Sequence, residues 1–169
     1  MKAAIIMGSG SDYPVVEKAE KIFAAFGVDY TTRIISAHRT PRAAEAFSSQ
    51  AEENGFEVII GAAGKAAHLA GVLAAFTPLP VIGLPIKSST MDGLDSLLSM
   101  VQMPTGVPVA TVAINGAENA ALLAVQILSV KYPELRQAMK DYKIKMEQDV
   151  MEADRAFCKE SAEKSEKGE

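Results

Sequence analysis

Five short apolar runs alternate along the chain with segments that are long enough to form helices. The runs cover residues 3–7, 28–36, 57–62, 79–85 and 107–114. Most of them are apolar almost throughout, which is typical of parallel strands that are covered on both faces. We therefore predict an α/β fold, in which a parallel five-stranded sheet lies between two layers of helices as a three-layer α/β/α sandwich.

The last part of the chain has a different pattern. We predict one α/β domain over residues 1–131, an amphipathic helix over residues 132–158 and a frayed, charged tail over residues 159–169. The helix carries an apolar stripe with steps of three or four residues, made of Leu135, Met139, Tyr142, Met146, Val150, Ala153 and Phe157. We expect this stripe to pack on its own domain or on a neighbouring subunit.

Composition narrows the possible partners and the location. The net charge of −4 gives no reason to expect nucleic acid or an anionic membrane as a partner. No segment approaches the roughly 18 apolar residues of a membrane span, and no signal peptide is recognisable, so we expect a cytoplasmic protein. The single cysteine, Cys158, excludes an intrachain disulfide, and no His, Asp and Glu group has metal-ligand spacing.

The strand-to-helix connections are the expected place for a site. In open α/β sheets, ligands bind beyond the carboxyl ends of the strands. The four connections read GSGSD (residues 8–12), SAHRTP (36–41), GAAGKAAH (61–68) and KSSTMDG (87–93). In a flavodoxin-like strand order, the first two lie side by side.

The GSGSD connection predicts an anion site. Its glycines allow a tight turn, and backbone N–H groups and two hydroxyls are left at the start of a helix, where phosphate commonly binds. The alternative is that Ser11 or Asp12 merely caps the helix, and the two interpretations are compatible.

The SAHRTP connection combines a helix start with two candidate functional side chains. Thr40 is a suitable N-cap and Pro41 a suitable first helical residue. Arg39 could hold a phosphate or carboxylate, and the His38 imidazole could transfer protons near neutral pH. His38 could also be an ordinary surface histidine, but its place at the end of a strand favours a functional role.

The GAAGKAAH connection contains small residues that let backbone approach a ligand closely. Its histidine, His68, could equally be a packed or capping residue or a ligand contact. Lys65 could add positive charge at the mouth of the site, or simply be exposed to solvent.

These motifs, taken together, resemble one known family. MGSGSD, SAHRTP, AGKAAHLAG, LDSLLSMVQMPTGVPVATVAI and NAALLAVQIL occur in order between residue 1 and about residue 130, and they are similar to blocks of the PurE family of purine biosynthesis. The chain resembles the bacterial and fungal branch of that family. It departs from the family pattern at Lys65, where the pattern has glycine, and at Ala70, where it has proline.

The resemblance implies a reaction and a site. Members of this branch convert N5-carboxyaminoimidazole ribonucleotide (N5-CAIR) to 4-carboxy-5-aminoimidazole ribonucleotide (CAIR) in IMP biosynthesis, by decarboxylation and CO2 recapture without a metal or organic cofactor. His38 would be the proton carrier. The substrate-binding residues would be Ser9, Gly10, Ser11, Asp12, Ser36, Ala37, Arg39, Ala63, Gly64, Lys65, Ala66, His68 and Leu69.

The resemblance also implies a homo-oligomer, an octamer, with active sites at the subunit junctions. The nearest alternative activity is that of the animal-type branch, a carboxylase that uses aminoimidazole ribonucleotide (AIR) and CO2. A different alternative is a non-catalytic nucleotide-binding module on the same fold. His38 argues against that alternative, because binding a phosphate does not require a titratable group in that loop.

Overall fold

The computed structural model describes residues 1–89 and 91–166. Within these residues, five parallel strands form one sheet in the order β2-β1-β3-β4-β5. The strands are β1 Lys2–Met7, β2 Asp29–Ile34, β3 Val58–Ala63, β4 Val81–Pro85 and β5 Ala110–Thr111. This order confirms the flavodoxin-like fold, and it places the first four connections side by side along one edge of the sheet.

Six α-helices in the described part of the chain cover the two faces of this sheet. They are α1 Tyr13–Ala25, α2 Pro41–Ser49, α3 Leu69–Ala75, α4 Leu94–Val101, α5 Ala117–Leu128 and α6 Pro133–Glu166, with short 3-10 turns at Gly10–Asp12 and Met91–Gly93. One buried cluster joins the sheet to α1, α5 and the start of α6, and a second joins it to α2, α3 and α4. The predicted three layers are therefore confirmed.

The two outer strands are less buried or shorter than the apolar runs suggested. β2 is an edge strand that carries exposed or half-buried residues throughout. The last run yields only the two residues of β5, which pair with Ile82 and Gly83. Pro108 lies in that run and has no backbone N–H to donate to a ladder, which shortens the strand.

A very close approach between β3 and α3 positions the helix that follows the third connection. A Cβ atom added to Gly61 would lie 2.9 Å from the Cα atom of Ala70 and 3.0 Å from its Cβ atom. Ala70 is fully buried in this contact. Small residues at both positions are therefore a packing requirement as well as a feature of the candidate site.

Helix α6 is anchored at its start and exposed beyond it. Leu135 is 2% exposed and Met139 is 7% exposed, and the ring of Tyr142 packs on that of Phe26 with centroids 5.6 Å apart. Farther along the same stripe, Phe157 is 70% exposed.

The helix also continues past the predicted boundary at residue 158, through Glu166. Residues 159–166 include three glutamates and two lysines, which are good helix formers, and the Lys164 ammonium lies 2.7 Å from Glu160 one turn earlier. The rest of the predicted tail, residues 167–169, lies outside the described residues. Of the helices described, none is both long and apolar enough to cross a membrane.

Candidate active site

The carboxyl ends of β1 to β4 open into a cavity of about 430 Å³. It is lined by most of the predicted site residues, namely Ser9, Ser11, Asp12, Ser36, Ala37, His38, Arg39, Ala63, Gly64, Lys65, Ala66 and Leu69. Two predicted residues are not part of this lining. Gly10 lies in the 3-10 turn that begins at the edge of the cavity, and His68 reaches the site through its contact with His38.

The first connection is held by hydrogen bonds among its own serines. The Ser9 Oγ atom accepts from the backbone N–H of Ser11 at 3.3 Å and from the Ser11 hydroxyl at 2.9 Å. The cap of this turn is therefore Ser9. The alternative that Ser11 or Asp12 caps the helix is wrong, because Asp12 occupies the N-cap position of α1 without a capping hydrogen bond from its side chain.

The Asp12 carboxyl is a buried acid at the cavity wall. It is 8% exposed and accepts a hydrogen bond from the Ser11 hydroxyl at 3.3 Å. Burial raises the pKa of this carboxyl above 3.8, although hydrogen bonds from Ser11 and Ser9 and the charge of Arg39 oppose the rise. A group held in this way is suited to accept hydrogen bonds from hydroxyls of a ligand.

Arg39, on the second connection, is hydrogen-bonded to the first connection. The Arg39 guanidinium donates from Nη2 to the carbonyl oxygen of Gly8 at 2.8 Å, and the backbone N–H of Arg39 donates to the Ser36 hydroxyl at 3.2 Å. Thr40 and Pro41 begin α2 as predicted. The Thr40 hydroxyl, however, closes the loop instead of capping the helix, because it accepts from the Ser36 N–H at 2.9 Å.

The two histidines of the chain are in direct contact. The Nε2 atom of His38 lies 3.0 Å from the Nδ1 atom of His68, and the rings meet edge to face at an angle of 78°. One of these nitrogens must donate and the other accept. Both side chains are exposed, and His68 occupies the N-cap position of α3 without capping it. The capping alternative for His68 is therefore wrong, and its ring lies against that of His38 at the cavity.

Lys65 is on the cavity wall with an unusual backbone conformation. Its φ angle is 53°, in the left-handed region. A residue with a side chain loses about 1 kcal/mol in this conformation, whereas glycine does not. The departure from the family pattern at this position thus places a strained lysine at the site. The other departure, Ala70, lies at the second position of α3 in the contact with Gly61.

Ile86, Lys87 and Ser88 also line the cavity and were not predicted as site residues. Their position directly after β4 was the available signal. The backbone N–H of Lys87 donates to the Asn115 side chain at 2.8 Å, and the Lys87 ammonium lies 3.2 Å from Asp92. Asn115, on the connection after β5, therefore holds the backbone of the cavity wall at Lys87 in place.

The donors around the cavity suit an anionic ligand. Within residues 1–89 and 91–166, no three His, Cys, Asp or Glu side chains are grouped so that they could hold a metal ion. Arg39, Lys65 and Lys87 supply positive charge, and the serines supply hydroxyl and backbone donors. Apolar walls from Ala63, Ala66 and Leu69 complete a site that could bind a phosphorylated molecule and place its uncharged part beside the histidines.

Comparisons with known proteins identify the family of this chain. A family model described as AIR carboxylase matches residues 2–149. The chain is 61% identical over 142 residues to the N5-carboxyaminoimidazole ribonucleotide mutase of Pyrococcus abyssi, covering 84% of this chain and 82% of the relative. It is 56% identical over 151 residues to the protein of the same name from Thermotoga maritima, covering 89% and 88%.

A solved structure gives the same result in three dimensions. The crystal structure of Treponema denticola PurE superimposes with a TM-score of 0.82 and 32% sequence identity, covering 89% of this chain and 94% of that one. The match to the family spans nearly the whole α/β unit and the start of α6. The chain therefore belongs to the AIR carboxylase family, which is the PurE family that its motifs resemble.

Proposed function

We propose that the protein is an N5-CAIR mutase, an isomerase that moves a carboxylate from nitrogen to C4 within an aminoimidazole ribonucleotide during purine biosynthesis. The observation that carries the proposal is the position of His38, in a cavity with anion-binding groups and in contact with His68. The relatives of this chain that bear the mutase name are 55% to 61% identical to it over most of its length.

The substrate phosphate is assigned to the side of the cavity formed by the first two connections. Ser9, Ser11 and Arg39 supply donors there, and the bond from Arg39 to the Gly8 carbonyl fixes the guanidinium in place. Asp12 is assigned to the ribose, because a buried carboxyl is an effective acceptor for sugar hydroxyls. Ser36 and Ala37 line this side of the pocket, and Gly10 begins the turn beside it.

His38 is assigned both proton transfers. In the first step the N–C bond to the carboxylate breaks, its electron pair stays with nitrogen, and His38 protonates that nitrogen as CO2 leaves. In the second step C4 attacks the carbon of CO2, and the C4 proton passes to His38. The proton lost in the first step is regained in the second, so one histidine serves both.

The third connection is assigned the retention of CO2. Ala63, Gly64, Ala66 and Leu69 form an apolar wall with small side chains. A small, largely dry space keeps the released CO2 close to C4, so that recapture is favoured over escape.

A substrate-discrimination assay tests the proposal. Purified protein would be given N5-CAIR in one reaction and AIR with bicarbonate in another, and CAIR formation would be followed. Rapid turnover of N5-CAIR, with AIR used only at high bicarbonate, supports the mutase. Efficient use of AIR with CO2 would assign the protein to the carboxylase activity instead, and binding without turnover would assign a non-catalytic nucleotide-binding role.

The proposal extends to assembly and location. We expect a homo-oligomer, an octamer as the family resemblance implies, and we expect it to act in the cytoplasm. Exposed apolar side chains on one face of the domain support association, with Phe76 43%, Leu98 46% and Val101 50% exposed. Sedimentation analysis of the purified protein measures the number of subunits.

A further inference from the structure

The cavity has positive charge at two separate places. Arg39 lies on the connection after β2, whereas Lys65 and Lys87 lie on the connections after β3 and β4. In the order β2-β1-β3-β4, the strands that precede Arg39 and Lys65 are two spacings apart, which is about 10 Å at the usual separation of neighbouring strands. A ligand with a single anionic group would use only one of these places.

Of the two lysines, Lys65 is the one available to a ligand. The Lys87 ammonium is paired with Asp92 at 3.2 Å. Lys65 makes no ion pair with any residue in the described part of the chain. Among the described residues that line the cavity, Asp12 is the one acid, and it lies on the connection after β1. The Lys65 charge is therefore uncompensated on its own side of the cavity.

The backbone at Lys65 also calls for an explanation. Its φ angle of 53° suits glycine, yet the chain carries a long charged side chain there. A strained residue on a cavity wall is a reason to look for a function of its side chain. His68, three residues later, contacts His38, so the connection that carries Lys65 is held beside the reacting group.

We propose that Lys65 is a specificity-determining residue that binds the carboxylate of the substrate and of the product. This inference rests on the proposed function, because N5-CAIR and CAIR carry a carboxylate in addition to the phosphate, whereas AIR carries only the phosphate. Arg39 binds the phosphate at one place, and Lys65 binds the carboxylate at the other. Lys65 thereby favours the carboxylated nucleotides over AIR.

The charge changes during the reaction define the kinetic signature. The carboxylate is negative in N5-CAIR and in CAIR, but CO2 is neutral at the intermediate stage. Lys65 therefore stabilises both end states more than the intermediate, which is ground-state binding. Loss of the charge should raise KM for N5-CAIR about tenfold, the effect of one charge-assisted contact, without lowering kcat.

The test measures binding and turnover in matched variants. Lys65→Gln removes the charge and keeps most of the side-chain length, and Lys65→Arg keeps the charge. Lys65→Gly removes the charge and also the backbone strain, so a loss of binding in this variant cannot come from misfolding at a positive φ angle. Lys21→Gln is the control, since Lys21 is an exposed lysine on α1 paired with Glu17 outside the cavity. Calorimetry would give the affinities for CAIR and AIR, and steady-state kinetics would give KM and kcat for N5-CAIR.

The expected result is a loss of affinity for CAIR but not for AIR. Lys65→Gln and Lys65→Gly should bind CAIR about tenfold more weakly and AIR as well as the wild type does, and Lys65→Arg should restore most of the affinity. Equal losses for CAIR and AIR, or no loss for either, would overturn the role of Lys65. Wild-type turnover of N5-CAIR separates the two proposals. If the wild type is active and Lys65→Gln binds CAIR as well as the wild type does, only the role of Lys65 is contradicted. If the wild type binds neither nucleotide, both proposals are contradicted.

Discussion

The Nε2 atom of His38 lies 3.0 Å from the Nδ1 atom of His68, and this contact joins two connections that are 30 residues apart in the chain. The two rings meet at the point where the second and third connections approach each other over β1. A proton on either ring can therefore be passed to the other without movement of the backbone. The pair links the groups assigned to the phosphate with those assigned to CO2.

The His38→Asn variant should lose turnover and keep its fold. Asparagine has similar polarity but cannot take up and release a proton, and loss of a general acid or base typically lowers kcat by about 10² to 10⁴. His38 is exposed, so folding should be unaffected. Measurement of kcat together with affinity for CAIR checks this. Retained activity in His38→Asn would show that another group carries the proton.

The Asp12→Asn variant should be more stable than the wild type at neutral pH. Burial raises the pKa of the Asp12 carboxyl above 3.8, so the folded state binds this proton more tightly than the unfolded chain does. The contribution of this carboxyl to the free energy of unfolding therefore falls as pH rises from 3.8 through its raised folded-state pKa. At neutral pH the ionised carboxyl opposes folding.

Thermal unfolding across a pH series measures this effect. The gain in Tm for Asp12→Asn should be largest at neutral pH, should shrink as pH falls, and should disappear below 3.8, where the wild-type carboxyl becomes protonated in both states. The same variant should bind substrate more weakly. A lower Tm than the wild type at neutral pH would mean that the carboxylate stabilises the free protein.

The Gly61→Ala variant should destabilise the fold. The added Cβ would meet the Ala70 Cα atom at 2.9 Å, and backbone cannot move aside cheaply. Overpacking of this kind costs about 2 kcal/mol. Urea denaturation measures the loss. Ala70→Gly is the matched comparison, because it changes the other side of the same contact and leaves space instead of a clash. It should lower the free energy of unfolding by about 1 kcal/mol, because glycine has a low helix propensity. An unchanged midpoint for Gly61→Ala would show that α3 can shift freely.

Two truncations on the apolar stripe of α6 should differ sharply. Leu135 is 2% exposed within the core, and Leu135→Ala should cost about 3 kcal/mol of unfolding free energy. Phe157 is 70% exposed, and Phe157→Ala should cost less than about 0.5 kcal/mol. Chemical denaturation of both variants compares them. A loss at Phe157 as large as that at Leu135 would show that the far part of the stripe is covered by another subunit.

Some of this structure follows directly from local sequence. The apolar runs at residues 3–7 and 57–62 predict buried central strands, because only strands covered on both faces are apolar throughout. Thr40 and Pro41 locate the start of α2 because their preferences act within one turn. The place of His38 at the end of a strand was enough to make it a candidate.

Other features depend on contacts between distant parts of the chain. The His38–His68 bond requires the start of α3 to lie against the second connection, which no local pattern encodes. The bond from the Lys87 N–H to Asn115 spans 28 residues and depends on a left-handed backbone at Asn115, with φ of 57°. The end of α6 was placed too early because a charged sequence can form a tail or a solvated helix equally well.

The length of α6 has a practical consequence. Cys158 is the one cysteine of the chain and is exposed, and at about 1.5 Å per residue it lies about 38 Å along the helix from Pro133. Each copy of the protein therefore offers a single thiol for a maleimide dye, outside the body of the domain and away from the cavity. Energy transfer between such dyes would report the arrangement of the copies relative to one another while leaving the histidine pair untouched.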